Sequence, residues 1–479
     1  MDIEWETILD VDALAVQDQK SWVWKGNTPL PRSRDSSQPS PKQVTMSLIS
    51  LSNGGSDAIY MKEFDLVTST FVTGTNSFEL KEEGKTRMSY KSWNVVLIGC
   101  THLGPDRVTN SGYPRQVREW TRGTLLQDAP VVFEGEVTDV SVGMYVVDER
   151  TWHGNIYEVQ YRSLTFYTSK YWIRAIPYEY MLAPNDPIRI EYMNQGDAVP
   201  QTGSFIPLNI QDDASISFVG KMLIVTLRSD WTLNDTITYP QGSVIYTDID
   251  SFLHSSDPSQ CTYTTLFAPT DRTAYEYFTV TKNYLILSTM DNVKSKLTFY
   301  KIDKEGSELV PLSRGENSAL IDDARIRDCI VRPVDPYIGS DEFWFTISDY
   351  VTPSTLYMAS ATKMDPDSVD YNGKDNFHND ETLDPFITAK LKSLPNQYDS
   401  SNVKVEQRKA ISKDGTEIPY FIVMPKDIVY NGQNPTLLYG YGGFEVSLGP
   451  HYIASSGVAW LEQGGGDRKS TRLNSSHVD

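Results

Sequence analysis

One plan recurs in the middle of this chain and limits the folds open to it: an apolar strand, a polar turn, then a second strand. The three clearest copies begin at Leu223 (LIVTLRSDWT, then GSVIYTDID), Leu285 (LILSTMDNVKSKLTFYKID) and Phe343 (FWFTISDYVTPSTLYMAS). Their starts lie roughly 60 residues apart, a spacing that suits one four-stranded blade of a β-propeller. DAIYMKEFDL from Asp57, VVLIGC from Val95 and SLTFYTSKYWI from Ser163 follow the plan less regularly, so they do not give a blade count. Up to about residue 400 no long window carries helical periodicity, and Asp, Asn, Gly, Ser and Pro clusters punctuate β-branched and aromatic runs. The reading is all-β. A sandwich is the alternative, but at this length it would need several domains with no evident linkers.

The 479 residues exceed one ordinary core, and 39% hydrophobic with 22% charged residues is the composition of a folded protein. A formal charge of −20 disfavours nucleic acid and anionic membrane as partners, since both demand a basic footprint. Cys100, Cys261 and Cys329 lie far apart without C-x-x-C spacing, so neither a disulfide framework nor a zinc site is indicated, and a reducing, cytoplasmic compartment is the simplest expectation. The opening MDIEWETILDVDALAV is acidic and lacks the basic and apolar regions of a secretory signal, and no window reaches the ~20 apolar residues of a membrane span.

An acidic, Asn-rich stretch from Asp365 reads as a surface loop. Its Asp365, Asp367 and Asp370 fail the calcium-loop pattern because Val369 stands where an oxygen ligand is needed, so no metal is expected. The texture then changes. VKVEQRKAISKDGTEIPYFIVMPKDI reads as two strands around a Lys-Asp-Gly turn, NPTLLYGYGGF as a strand entering a Gly-rich loop, and HYIASSGVAWLEQ as a helix. The final GGGDRKSTRLNSSHVD loses the apolar texture where an α/β sheet would need its next parallel strand, and is expected to be an aberrant tail. The expected domains are therefore 1–400, 401–463 and the tail 464–479.

Hydrolase chemistry has a recognisable absence here. A serine nucleophile on an α/β scaffold sits in a G-x-S-x-G elbow, and the chain contains none. Ser56, in Asn53-Gly54-Gly55-Ser56, reads as a hairpin-turn serine because an alternating strand follows it. Six histidines show no i, i+4 pairing, and His102 reads as a loop residue. Tyr439 to Phe444, a strand end crowded with glycines, lets backbone and aromatic groups approach a ligand closely.

KVEQRKAISKDGTEIPYFIVMPKD with NPTLLYGYGGFEVSLGPHYIASSGVAWLEQGG resembles the start of the peptidase domain of the prolyl oligopeptidase family. WETILDVDALA, SLSNGGSDAIYMKEFDL, TNSGYPRQVREWTRGT and LIVTLRSDW with YPQGSVIYTDID are similar to its propeller, so the resemblance runs from residue 1 to about 463. It implies a seven-bladed β-propeller followed by the N-terminal part of an α/β-hydrolase domain. It also implies hydrolysis of short peptides by acyl transfer through a serine activated by histidine and aspartate, after proline in proline-specific members, without a cofactor. Tyr441 matches the family tyrosine that helps hold the oxyanion, and Phe444 an aromatic in the wall of the proline pocket. The serine, aspartate and histidine have no counterpart in these residues, so the chain by itself is expected to be inactive. The competing expectation is a non-catalytic propeller that binds peptides or proteins.

Overall fold

Strands that are covered on both faces have no reason to alternate polar and apolar residues. That is how the second strand of four of the sheets is built. Met46–Asn53, Val95–Cys100, Met222–Thr226 and Tyr284–Asp291 are buried along most of their length on both faces. Asp328–Pro333, at the edge of another sheet, alternates instead, with Cys329 and Val331 buried and Ile330 exposed. The structure, a computed structural model, describes residues 4–30, 46–148, 156–177, 204–234, 236–255, 257–312, 326–335, 339–371, 386–441, 448–463 and 466–470.

The chain divides into two compact units, Met1–Leu266 with Glu305–Ser307, and Phe267–Lys304 with Glu308–Asp479. The first unit opens with a helix, Val11–Asp18, whose N-terminus is capped by the Asp10 carboxylate accepting from the Ala13 N–H at 2.8 Å. Among the described residues, four antiparallel sheets of four or five strands follow, besides a two-stranded hairpin of Trp231–Leu233 and Ile237–Tyr239. Trp22–Pro29, Met46–Asn53 and Ile59–Asp65 form the first, edged by Thr70–Phe71 and Glu79–Gly84. Thr86–Ser92, Val95–Cys100, Gln116–Thr121 and Val131–Glu134 form the second. The third is Ser141–Asp148, Ile156–Ser163, Ser169–Ile176 and Ile206–Pro207, and the fourth Ser215–Val219, Met222–Thr226, Val244–Asp248 and Thr264–Phe267.

Each sheet of this unit packs on its neighbour through apolar side chains, but two of the contacts also hold buried charge. Glu63, from the first sheet, is fully buried and accepts from Tyr90 Oη at 2.7 Å and Arg122 Nη1 at 2.6 Å beside the second. Between the second and third sheets, Lys91 Nζ reaches Glu119 at 2.9 Å and Glu158 at 2.6 Å. Burial alone would raise Glu158, but Lys91 and Arg174 hold its carboxyl below the usual range. Removing one member of such a cluster strands the others in a low-dielectric site.

In the second unit, Thr273–Val280, Tyr284–Asp291, Lys294–Ile302 and Leu309–Pro311 make a fifth sheet, and Asp328–Pro333, Glu342–Ser348, Thr355–Ser360 and Ile387–Ser393 a sixth. Between them lies an aromatic core in which Phe299, Phe343, Phe345 and Phe386 meet with ring centroids 5.0–6.4 Å apart. Asp365 closes the edge of that core, accepting from Tyr284 Oη at 2.7 Å and pairing with Lys301 Nζ at 2.6 Å. Its carboxylate is thus engaged internally.

Six blade-type sheets stand among the described residues, where the family resemblance implies seven. The strands after residue 400 do not supply a seventh meander, because they build a different, mixed sheet. Val403–Ile411 and Glu417–Pro425 pair as a hairpin, and Thr436–Gly440 runs parallel to Gly466–Ser470, which itself lies antiparallel to Glu417–Pro425. The expected α/β-hydrolase layering is not seen in it. The anticipated helix is a single turn, Ala454–Ser456, widening into a π-helical turn over Gly457–Leu461. Gly457 is required there, since a Cβ would stand 2.1 Å from the ring of Tyr398. Gly466–Ser470, inside the expected aberrant tail, takes the strand position between its two neighbours. A β-ladder is made by backbone groups, so a polar sequence can fill an open strand slot. Residues 471–479 lie outside the described residues. Among the described residues no helix is long and apolar enough to cross a membrane.

Candidate functional site

The Gly-rich strand end singled out by sequence starts from an unusual strand. All five residues of Thr436–Gly440 are exposed, with Leu438 at 66% and Tyr439 at 48%. Tyr441 follows at 44% exposure. Gly442, Gly443 and Phe444 lie outside the described residues.

Where the backbone is next described, it borders a cavity of about 310 Å³ in the second unit, lined among others by Glu276, Met290, Ser295, Asp328, Gly449 and His451. Tyr441 is not among its lining residues. Glu276 stands at a break in strand register between Tyr275 and Tyr277, and a bulge of this kind re-aims a side chain out of the alternation. Burial pushes its carboxyl up to about 6, against a hydrogen bond donated by Ser288 Oγ at 2.8 Å, and the charge of Asp328 adds to the rise. Asp328, at the start of its strand, is raised too, by burial first, with Ser295, the Cys329 N–H and His451 opposing.

Serine, aspartate and histidine meet in this cavity, yet they are not a catalytic triad. Ser295 Oγ donates directly to Asp328 Oδ1 at 3.4 Å, so no imidazole stands between them to receive the hydroxyl proton. The His451 ring instead lies 6.1 Å from that of Tyr350, with Nδ1 3.2 Å from the Gly449 carbonyl oxygen. Sequence reading did not single out Glu276, Asp328 or His451. They come from three distant stretches, and only the fold brings them together; the one local clue, a carboxylate within the otherwise aromatic TAYEYFTV strand, is weak.

The other residues singled out have plain structural places. Ser56 sits in the turn before Ile59–Asp65, with Gly54 at φ 77° and Gly55 at φ 90°, and its hydroxyl donates to the Ala58 carbonyl at 3.2 Å. His102 Nε2 lies 2.6 Å from the Glu82 carbonyl oxygen. Cys100, Cys261 and Cys329 are free thiols. His153, His378 and His477 lie outside the described residues.

No family model matches the chain. It is 31% identical over 472 residues to an uncharacterized peptidase, y4nA, of Sinorhizobium fredii, covering 96% of this chain and 54% of that protein. It is 34% identical over 124 residues to the prolyl endopeptidase of Elizabethkingia miricola, 26% of this chain and 14% of that one. The chain is a homologue of prolyl oligopeptidase-type peptidases. It spans about half the length of the curated relatives it matches along its whole extent. Among solved structures, a post-proline cleaving enzyme from Rickettsia typhi superposes with a TM-score of 0.73 at 23% identity, covering 98% of this chain and 58% of the other. That likeness gives the fold: the six meander sheets are blades of a prolyl oligopeptidase-type β-propeller. In this family setting the exposure of Thr436–Tyr441 is the notable feature of the second unit, since it leaves the strand and its terminal tyrosine uncovered.

Proposed function

We propose that the whole protein is a serine-type oligopeptidase that hydrolyses short peptides by acyl transfer, with cleavage after proline as its preference. This chain contributes the propeller and the Tyr441 strand. The observation that supports the reading is the match to peptidases over 96% of the chain, combined with an exposed tyrosine at the end of a Gly-rich strand. In the reaction a serine oxygen adds to the peptide carbonyl while a histidine takes its proton. The amine then leaves with that proton, and water releases the acyl group by the same steps. Tyr441 donates its O–H to the oxyanion that forms, and Phe444 offers a flat apolar wall to the pyrrolidine ring. Because these 479 residues hold no G-x-S-x-G elbow, the chain alone does not turn over peptides. Its three free thiols fit a reducing, cytoplasmic setting.

The test is hydrolysis of an N-blocked glycyl-prolyl aminocoumarin by the whole gene product and, separately, by this chain. Release of the fluorophore by the whole product and none by the chain supports the proposal. Turnover by the chain alone would contradict it, and a folded whole product that binds peptides without cleaving them would favour the non-catalytic binding module.

A further inference from the structure

A second cavity, of about 290 Å³, lies within the first unit against the opening strands of its first three sheets. Thr28, Arg87 and Ser89 line it from the first two sheets, and Met144, Tyr145 and Tyr161 from the third. The peptidase reading uses none of these residues.

Among the described residues its one cationic lining group is Arg87. In a chain with 63 acidic and 43 basic residues, an arginine ordinarily finds a carboxylate. Arg115, Arg122, Arg162 and Arg174 of the same unit each hold one. Among the described residues no carboxylate pairs with Arg87; its Nη1 donates instead to Tyr161 Oη at 2.9 Å. A phenol that accepts a hydrogen bond keeps its own hydrogen to give away, and a guanidinium has further N–H groups beyond the one it has spent. Donors from both residues therefore remain at one cavity wall.

The backbone is shaped to keep Tyr161 in place. Gly143 lies opposite it in the ladder, and a Cβ on Gly143 would stand 2.2 Å from the Tyr161 ring. Tyr145 packs 6.4 Å from that ring on one side, and Tyr171 6.4 Å from it on the other. A side chain held this firmly by a required glycine and two aromatic neighbours is pre-organised, so little ordering remains to be done when a ligand arrives.

We propose that this cavity binds a carboxylate carried by a short peptide, with Arg87 pairing with the charge and Tyr161 donating its O–H to the same group. Threonine and serine hydroxyls and the methionines beside them offer a mixed wall for the rest of the ligand. Only the choice of a peptide as carrier rests on the oligopeptidase reading.

The test is calorimetric titration of this chain with N-acetyl-alanyl-proline, its C-terminal amide, and succinyl-alanyl-proline amide. The free acid binds roughly tenfold more tightly than the amide, the scale of one charged hydrogen-bonded pair at a partly exposed site. Arg87→Met and Tyr161→Phe each bring the acid down toward the amide and weaken the amide far less than the acid. Recovery of the tight binding by the succinyl compound would mean that a carboxylate at the other end of the peptide also reaches Arg87; its absence would restrict the site to C-terminal carboxylates. Equal affinity for acid and amide, no measurable binding of either, or an acid affinity unchanged in both variants would overturn the proposal. The exposed position of Arg87 predicts an unaltered melting temperature for its variant, which separates lost binding from lost folding. The readout is binding without turnover, so failure of the peptidase assay and failure of this site are separate results.

Discussion

Within the second unit, two β-structures of similar strand length are finished to very different degrees. The fifth and sixth sheets enclose Phe299, Phe343, Phe345 and Phe386, all fully buried. The last sheet buries Phe421, Val423, Ile453 and Leu461 on one side, yet leaves Leu437 and Leu438 in the open on its Thr436–Gly440 strand. Strand propensity is satisfied in both. The difference lies in whether a second surface covers the strand, and this decides which residues carry stability and which are free for chemistry or association.

The sharpest way to break the comparison is to truncate one aromatic on the covered side. Phe386→Ala removes the ring that touches Phe299, Phe343 and Phe345, and should cost about 3–5 kcal/mol in urea unfolding, with a lower midpoint and an unchanged slope. A loss below about 1 kcal/mol would mean that the core between the two sheets is loose.

On the uncovered side the largest effect is expected in the reaction, not in stability. On the proposed oligopeptidase reading, Tyr441→Phe in the whole protein should lower kcat by ~10²–10³ with KM little changed, as for loss of one oxyanion donor. In the chain alone the same change should leave the melting temperature where it was, because the Tyr441 side chain is 44% exposed. A kcat within a factor of three of wild type would remove Tyr441 from the mechanism.

Much of this contrast can be read from the sequence, and the part that cannot has a physical cause. Leu223 and Leu285 mark repeats because a strand covered on both faces must be apolar throughout, which leaves an unmistakable run, and Phe343 marks one through an aromatic-rich strand whose burial alternates. Trp22–Pro29 and Ser169–Ile176 are covered less completely, so their texture is mixed and no blade count emerges from them. Gly466–Ser470 was illegible for the opposite reason, since its place in the ladder depends on neighbouring backbone and not on its own polar side chains. At the candidate site, Tyr441 is legible through the Gly-rich motif around it. Glu276, Asp328 and His451 converge only after three distant stretches have folded, and Arg87 stands out only once its neighbours are seen to hold the carboxylates.

Glu276 sharpens the comparison at intermediate size. Its folded-state value, near 6, is above the ordinary 4.5, so the folded chain binds the proton more tightly than the unfolded one. The contribution is complete below about pH 4.5 and is lost as pH rises through 6, amounting to about 1–2 kcal/mol. Glu276→Gln should flatten that part of the stability profile, measured by denaturant midpoints from pH 4 to 7. Glu158, held low by Lys91 and Arg174, has the reverse sign: its contribution is present above the ordinary carboxylate range and is lost as pH falls through its lowered value. An identical slope in wild type and Glu276→Gln would show that the cavity does not hold Glu276 away from water.

The smallest effect belongs to Leu438→Ser, which should change unfolding free energy by less than about 0.5 kcal/mol while reducing self-association in sedimentation at high concentration. Unchanged association would place the sticky surface elsewhere.

The central claim is that the Thr436–Tyr441 strand lacks a cover that the blade strands possess, and backbone hydrogen exchange followed by mass spectrometry tests it most directly. Peptides covering Tyr284–Asp291 and Glu342–Ser348 should remain protected for hours, while one covering Thr436–Tyr441 exchanges within minutes. Equal, slow exchange in all three would contradict the account, because it would mean that the last sheet is as firmly closed as the blades.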